Sequence, residues 1–323
     1  MRHAARSSRH ACDRRYPGRR LPAVQTRERS GLALAFIGVL AFSFSLPFTV
    51  WALESFDPVL TATGRAVIAA VVAAGILMWR RVLWPDRALI KPLLYTMAGA
   101  VFGWPILIAL ALQRTTSAHA AVIAAVMPLV TAVIAVIRAN ERVSRQFWLA
   151  AALGTAGLIV FALLRGGADG GNLVADLLIA GAVIASSWCY VEGAVLTRVM
   201  PGWQVISWVV VLALPVTLPV SIVLIAAGGV TSPITRDAAI SLIMLGLSSM
   251  YFAFYAWYAG LARAGVARGG QVQQLQALLT LVWSVWLLGE QVTVSTVAAA
   301  VFVVACVAWA VRVRTPTVVA PEE

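Results

Sequence analysis

Uncharged apolar stretches of about twenty residues recur along the whole length of this chain. A membrane-spanning helix needs roughly 20 consecutive apolar residues. Stretches near or above that length lie at 31–53, 92–113, 115–137, 146–164, 199–235, 238–262, 269–289 and 291–311. Two more segments, 58–79 and 172–194, are long enough but contain charged residues. A soluble helical domain with this pattern would leave most of its helices apolar on every face, which argues against one.

We therefore predict an all-α polytopic membrane protein with ten transmembrane helices. The predicted spans are 1 at 31–52, 2 at 58–79, 3 at 92–112, 4 at 117–137, 5 at 147–164, 6 at 172–194, 7 at 203–227, 8 at 238–261, 9 at 267–288 and 10 at 292–311. The three cysteines, at positions 12, 189 and 306, lack the spacing of a metal site or a disulfide framework. We predict no cofactor and no metal.

The distribution of basic residues predicts the orientation. Nine of the 25 basic residues lie in the first 29 positions, and cytoplasmic loops carry an excess of lysine and arginine. With the amino terminus inside, twelve other basic residues fall in inner loops and three in outer loops. We predict cytoplasmic tails at 1–30, which is Arg-rich and disordered, and at 313–323. Because the charge is concentrated in a tail and in inner loops, we predict no nucleic-acid binding.

An internal repeat emerges when the chain is shifted by 149 residues. The segment 114–144 then aligns with 263–293, so that spans 4 and 9 resemble each other and each is followed by one last helix. The halves 31–165 and 172–312 would each contain five helices. Because five is odd, the halves would enter the membrane in opposite directions. Such inverted repeats are common in secondary transporters, whose substrate site lies near the bilayer midplane.

A family resemblance rests on the same segments. Pro128 is followed thirteen residues later by Glu141 and Arg142 and then by VSRQFWLAAALGTAGLIV, and the second half has LLGEQVT before a tenth helix. This two-copy layout resembles the EamA family of the drug/metabolite transporter superfamily over residues 31–312. The resemblance implies ten helices, cytoplasmic termini, and export or exchange of small metabolites, amino acids or drugs. Ala277 replaces the proline expected in the second copy, so span 9 should be straighter than span 4.

Span 9 contains a polar stripe. Gln273, Gln276, Thr280 and Ser284 are spaced by three, four and four residues, which places them on one helical face. An unpaired amide in hydrocarbon costs about 2–7 kcal/mol. The stripe therefore either lines a wet cavity, formed by spans 3, 4, 8 and 9 and shared with Thr131, or forms hydrogen bonds between helices, worth roughly 0.6 kcal/mol each.

Three ionisable residues within the spans are candidates for ion pairing or coupling. Arg65 lies roughly 10 Å into the membrane, where an arginine costs at least about 2.5–3.5 kcal/mol. It should extend outward, pair with Glu54 or Asp57, or bind an anionic group of a substrate. Glu192, near the cytoplasmic end of span 6, either exchanges a proton or is an interfacial residue. His119, near the outer end of span 4, is either interfacial or part of a proton relay.

Span 8 has three tyrosines at helical spacing, Tyr251, Tyr255 and Tyr258. Their rings could stack on an aromatic or cationic ligand, or they could pack between helices.

The sequence as a whole predicts a secondary transporter that exports or exchanges a small metabolite, amino acid-like or drug-like, across the bacterial inner membrane by alternating access. Its partners would be a small-molecule substrate and the lipid bilayer, and a homodimer is left open. The alternatives are a membrane-embedded enzyme and a non-transporting scaffold or sensor. The chain contains no HExxH, GxSxG or GxxxxGK[ST] motif, so we predict no enzymatic activity.

Overall fold

The computed structural model describes residues 22–139, 172–264 and 272–312, with short helical pieces between 145 and 157. The regular secondary structure of these residues is helical. Within them, seven helices are long and apolar enough to cross a membrane: Arg29–Leu53, Pro58–Trp79, Arg87–Leu112, Ser117–Arg138, Leu173–Leu196, Gly202–Ala226 and Arg236–Ala264. Two shorter apolar helices, Leu275–Leu288 and Val294–Cys306, coincide with predicted spans 9 and 10. The chain is a multi-pass membrane protein.

The span numbers of the sequence analysis are kept for the structure. The helices are Pro22–Ser43 and Ser45–Leu53 in span 1, Pro58–Trp79 in span 2, Arg87–Met97, Ala98–Gly103 and Trp104–Leu112 in span 3, Ser117–Ala124 and Met127–Ala139 in span 4, Leu173–Leu196 in span 6, Gly202–Ala226 in span 7, Arg236–Met244, Leu245–Phe252 and Ala253–Ala264 in span 8, Gln274–Leu288 in span 9 and Val294–Arg312 in span 10.

Both predicted tails and span 5 fall wholly or partly outside the described residues. The parts of these segments that the structure does not describe are 1–21, 313–323 and most of 147–164. The first helix comprises Pro22–Ser43, so residues 22–30 of the predicted tail are helical in the structure. A proline is tolerated in the first turn of a helix, where its missing N–H group is not needed. No proline or glycine lies between Pro22 and Gly31.

Span 9 has a turn at Gln273 between helical residues, and span 4 is also interrupted. The helix of span 4 stops at Ala124 and restarts at Met127, directly before Pro128. A proline lacks the N–H group that an uninterrupted helix needs and clashes with the preceding turn. In span 9 the helix Gln274–Leu288 continues through Ala277. Because a turn at Gln273 precedes this helix, the prediction that span 9 is straighter than span 4 stays a prediction.

Spans 3 and 8 each contain a π-helical segment in mid-helix, Ala98–Gly103 and Leu245–Phe252. Such segments are rare and frequently occur at functional sites. In span 8 the segment contains Gly246, where an added Cβ atom would lie 2.8 Å from the Ile68 Cβ and 2.9 Å from the Arg65 carbonyl oxygen. The absence of a side chain at Gly246 therefore allows span 8 to approach span 2 closely.

The packing of the spans is specific and rich in small residues. Span 1 packs against spans 8 and 9, span 6 against spans 3 and 4, span 2 against span 7, and span 4 against span 9. Span 2 contributes four fully buried alanines, Ala66, Ala69, Ala70 and Ala73. Small residues let helix backbones approach closely in a membrane, where no hydrophobic force drives helices together.

Two loops at the predicted outer side are joined by hydrogen bonds, and we call residues 54–57 and 229–235 the loop pair. Phe56 and Val230 form an antiparallel β-bridge. The Asp57 N–H donates to the Gly229 carbonyl at 2.8 Å. The Ser55 hydroxyl donates to the Pro233 carbonyl at 3.1 Å. The loop pair thus connects the predicted first half of the chain to the second.

Candidate functional site

A small cavity lies among spans 1, 2, 3, 6, 8 and 9. The space that water could occupy in it is about 20 Å³, and all the space not filled by atoms, including open solvent, is about 320 Å³. The sequence analysis predicted spans 3, 8 and 9 around a cavity, but also span 4, which does not line this one. The lining residues are Phe42, Ser45, Arg65, Ala100, Trp104, Ser186, Tyr190, Ser249, Phe254 and Gln276.

Arg65 is the charged residue among those that line the cavity. Its side chain is buried, with 3% of the residue exposed, and its Nη2 donates to the Ser249 Oγ at 2.8 Å. Arg65 therefore does not extend outward. Among the described residues, Arg65 forms no ion pair with Glu54 or Asp57. The Asp57 carboxylate instead caps span 2, where it accepts from the Val59 N–H at 2.7 Å. Two of the three predicted alternatives for Arg65 are thus wrong.

Three polar atoms of the lining residues lack a hydrogen-bond partner within the described part of the chain. They are the Arg65 Nε, the Ser45 Oγ and the Gln276 Oε1, and all three atoms are buried. Buried polar groups in proteins are normally hydrogen-bonded, so each exception needs an explanation. Because all three atoms belong to residues that line one cavity, their arrangement suggests that a bound molecule or water supplies the missing hydrogen bonds.

An aromatic cluster forms another part of the wall. Phe42 and Phe254 make an edge-to-face contact with ring centroids 4.9 Å apart. Tyr190 lies 5.9 Å from Phe254 and 5.4 Å from the buried Trp257. Aromatic rings in such arrangements attract one another beyond their burial of area. The cavity therefore combines a rigid apolar wall with a cationic group.

The remaining residues of the span 9 stripe lie at contacts between helices. The Gln273 Nε2 donates to the Met127 sulfur, and the Thr280 hydroxyl donates to the Ser43 carbonyl at 2.9 Å. The Ser284 hydroxyl pairs with that of Ser117. None of Gln273, Thr280 and Ser284 lines the cavity, since spans 1 and 4 pack against them. For these three residues the structure favours the alternative of hydrogen bonds between helices.

The predicted tyrosines and Thr131 also lie away from the cavity. The Tyr251 hydroxyl pairs with the Ser207 hydroxyl at 2.8 Å, and the Tyr258 hydroxyl donates to the Cys189 carbonyl at 3.1 Å. Tyr255 is 43% exposed. Thr131 is buried, with its hydroxyl unpaired in the described residues. Tyr251 and Tyr258 are thus buried with hydroxyl partners on other helices, whereas Tyr255 points to the outside of the bundle.

His119 is hydrogen-bonded to Asp176, and Glu192 is ion-paired with Arg138, at opposite ends of spans 4 and 6. The His119 Nε2 lies 2.8 Å from the Asp176 Oδ1. Arg138 binds the carboxylate of Glu192, which is 1% exposed. Neither His119 nor Glu192 lines the cavity. A role of either residue in proton coupling stays a prediction.

Glu290 caps the first helix of span 4. Its carboxylate accepts from the Ser117 N–H and hydroxyl and from the Ala118 N–H, each at 3.0 Å. The amino terminus of a helix favours a negative charge, because its first N–H groups are unpaired and the helix dipole is positive there. Glu290 therefore ties the end of span 9 to the start of span 4.

The sequence analysis did not single out Ser45, Tyr190 or Ser249. Ser248 and Ser249 interrupt an apolar run of span 8, which is a signal that could have indicated Ser249. Aromatic residues in an apolar helix are normally core residues, so no signal distinguished Tyr190. The described residues contain no group of three or more His, Cys, Asp or Glu side chains that could hold a metal ion.

A polytopic helical protein with a polar cavity inside its bundle has the layout of a membrane transporter. Residues 29–163 and again residues 173–312 match the EamA-like transporter family. The chain belongs to this family, and with it to the drug/metabolite transporter superfamily.

Individual proteins agree with the family match. The chain is 41% identical over 225 residues to the "Uncharacterized transporter YdeK" of Bacillus subtilis (strain 168), an alignment that covers 70% of this chain and 77% of that protein. A solved structure described as "Crystal structure of protein" has the same fold with a TM-score of 0.65 and 20% identity, over 87% of this chain and 98% of the other. The protein is a membrane transporter of the drug/metabolite type.

Proposed function

We propose that the protein is a secondary transporter that exports or exchanges a small organic solute across the bacterial inner membrane by alternating access. The observation that carries this proposal is the cavity among helices from both halves of the chain, with Arg65 and Gln276 in its wall. Secondary transporters bind their solutes at such places between repeats. The termini would be cytoplasmic, as the basic residues indicate.

Two inverted five-helix halves, 31–165 and 172–312, are part of the proposal. When the two halves are exchanged, span 1 corresponds to span 6, span 3 to span 8 and span 4 to span 9. The contact between spans 1 and 8 then corresponds to the contact between spans 6 and 3, and the contact between spans 4 and 6 corresponds to the contact between spans 9 and 1. All four contacts are present. The π-helical segments lie in spans 3 and 8, which correspond in this exchange. Ala100 and Ser249, one from each segment, are separated by the repeat length of 149 residues. This regularity supports the repeat.

The loop pair would act as the outer gate of this transporter. Alternating access requires the two halves to separate on one side while they remain in contact on the other. The loop pair joins the halves through main-chain hydrogen bonds, such as Thr231 N–H to the Ser55 carbonyl at 3.0 Å. These bonds would break in the outward-open state and form again when the solute faces the cytoplasm.

Counterflow in proteoliposomes tests the proposal. A thermal-shift screen of amino acids, sugars, organic acids and cationic drugs on the purified full chain would first select a ligand. Liposomes loaded with unlabelled ligand should then accumulate the radiolabelled form transiently, because a carrier exchanges solutes. A ligand that is chemically converted, or one that binds without counterflow, would instead favour an enzyme or a scaffold.

The orientation has a separate test. In a variant without native cysteines, Ser232→Cys should react with a membrane-impermeant maleimide added to whole cells. Arg198→Cys should react only after the membrane is opened. The reverse pattern would contradict the proposed cytoplasmic termini.

A further inference from the structure

We propose that the transported solute is an organic anion, a carboxylate with an apolar or aromatic body, and that Arg65 binds its negative charge. The inference rests on the proposed function, because it takes the cavity to be the solute site. It narrows the predicted amino acid-like or drug-like substrates to one class of charge.

The first step concerns charge balance. Arginine keeps its proton in proteins, so Arg65 places a buried positive charge beside the cavity. No aspartate or glutamate lines the cavity. Among the described residues, the carboxylates of Asp57 and Glu192 are committed elsewhere, to a helix cap and to Arg138. Burial of a charge is costly unless it is paired. The compensating negative charge can come from the solute.

The second step concerns the direction of the free donors. Ser249 accepts one N–H group of Arg65 and thereby fixes the plane of the guanidinium. The Nε remains without a partner within the described chain, as does the Ser45 Oγ. A guanidinium binds a carboxylate through paired N–H groups in a fixed geometry. Arg65 supplies these groups, and the Ser45 hydroxyl can supply a further donor.

The third step concerns the body of the solute. Phe42, Tyr190 and Phe254 line the cavity as part of the aromatic cluster. Such a wall favours an apolar or aromatic group over a sugar, whose hydroxyl groups would lose their hydrogen bonds to water. The charge of Arg65 repels a cationic solute. The Gln276 amide lies beside this wall and can bind one polar substituent of the body.

The experiment compares ligands of one shape and three charges. Benzoate, benzamide and benzylamine, together with a panel of aliphatic and aromatic monocarboxylates and their amides, would be titrated against the purified full chain. Binding would be measured by thermal shift and calorimetry. We expect at least one carboxylate to bind and its amide and amine counterparts to bind at least tenfold more weakly. Equal binding of the amide or the amine, or no binding by any carboxylate, would overturn the proposal.

Variants of Arg65 assign the charge to this residue. Arg65→Gln should weaken carboxylate binding on the order of 10- to 100-fold, as expected for the loss of a charged hydrogen bond. Arg65→Lys should retain part of it. The exposed Arg80 offers a matched control, because Arg80→Gln removes the same charge outside the cavity. Unchanged carboxylate affinity in Arg65→Gln would refute the assignment. If Arg65→Gln does not fold, Ser45→Ala, with an expected loss of about two- to tenfold, decides in its place.

The failure of this inference and that of the proposed function give different results. Counterflow of a neutral or cationic solute would refute the anion proposal and leave the transporter intact. Specific binding of a carboxylate without counterflow would refute transport and leave the anion site intact.

Discussion

The Arg65 Nη2 donates to the Ser249 Oγ at 2.8 Å, although the two residues are 184 positions apart in the chain. The contact joins span 2 to the π-helical segment of span 8. Gly246 allows it, because any side chain there would collide with Ile68. One residue without a side chain thus positions the acceptor that orients the buried guanidinium.

Replacing Ser249 with alanine should weaken solute binding by about threefold to tenfold, less than replacing Arg65 itself. The guanidinium would keep its charge and lose one hydrogen bond that orients it, which corresponds to about 0.7–1.4 kcal/mol. Calorimetry on the purified variant measures the effect. Ser248→Ala makes the same chemical change one residue earlier and should have wild-type affinity. Equal losses in both variants would show that the effect is not specific to Arg65.

Gln276→Ala should lower the initial rate of transport by about two- to tenfold, because one hydrogen bond of about 0.5–1.5 kcal/mol to the solute is lost. Its abundance in the membrane should be unchanged, since the side chain faces the cavity. Gln204→Ala, at the start of span 7 that is predicted to be cytoplasmic, is the control. Wild-type transport by Gln276→Ala would remove this residue from the site.

A disulfide between the two outer loops should stop transport reversibly. Opposite residues of an antiparallel pair have Cα atoms about 4.5–5.5 Å apart, within the range that a disulfide bridges. The double variant Phe56→Cys and Val230→Cys, without native cysteines, should therefore cross-link on oxidation. Counterflow should fall at least tenfold and return after reduction, and each single variant should be insensitive to the oxidant. Full counterflow by the cross-linked protein would exclude the loop pair as a gate.

Removing Arg138 should destabilise the protein more than removing the charge of Glu192. Arg138→Gln leaves a buried carboxylate without its partner, at a cost of about 1–3 kcal/mol. Glu192→Gln leaves an arginine whose side chain is 45% exposed and can be hydrated. Melting temperatures of the two variants in detergent measure the difference, with the exposed Arg80→Gln as a reference. A larger loss for Glu192→Gln would contradict the burial of that carboxylate.

Glu290→Ala should lower the stability of the protein by about 1–2 kcal/mol, because the first turn of span 4 loses the carboxylate that accepts from its N–H groups and keeps only the Thr116 cap. Glu290→Gln should cost less, since the amide oxygen can still accept one of the three hydrogen bonds. The control is Glu54→Ala, which removes an exposed acid on the same predicted side. If thermal unfolding of Glu290→Ala matched that of Glu54→Ala, the cap would contribute nothing.

The seven long apolar helices of the described residues could be predicted from the sequence, because the bilayer requires a long apolar helix and hydropathy records this directly. The break before Pro128 was predictable for a similarly local reason. The positions of the span 9 side chains were not. Helical spacing places Gln276, Thr280 and Ser284 on one face, but only the neighbouring helices decide which part of that face is open. Spans 1 and 4 cover Thr280 and Ser284 and leave Gln276 at the cavity.

The partners of Arg65 were predictable only as alternatives. Glu54 and Asp57 were near in sequence, whereas Ser249 lies in the other half of the chain. A single sequence contains no record of that contact. The π-helical segments added a second obstacle, because each changes the register of the residues that follow it. The hydroxyl partners of Tyr251 and Tyr258, which are Ser207 and the Cys189 carbonyl, lie on other helices and could not be predicted from spacing.

The lone guanidinium also bears on the return step of the proposed transport cycle. After release, the vacant carrier would have to reorient with an uncompensated positive charge in its interior, whereas the loaded carrier is neutral at that point. The vacant carrier should therefore reorient across the membrane more slowly than the loaded carrier. Flux would then depend on a supply of counter-solute on the opposite face, so the carrier would work as an antiporter in preference to a uniporter.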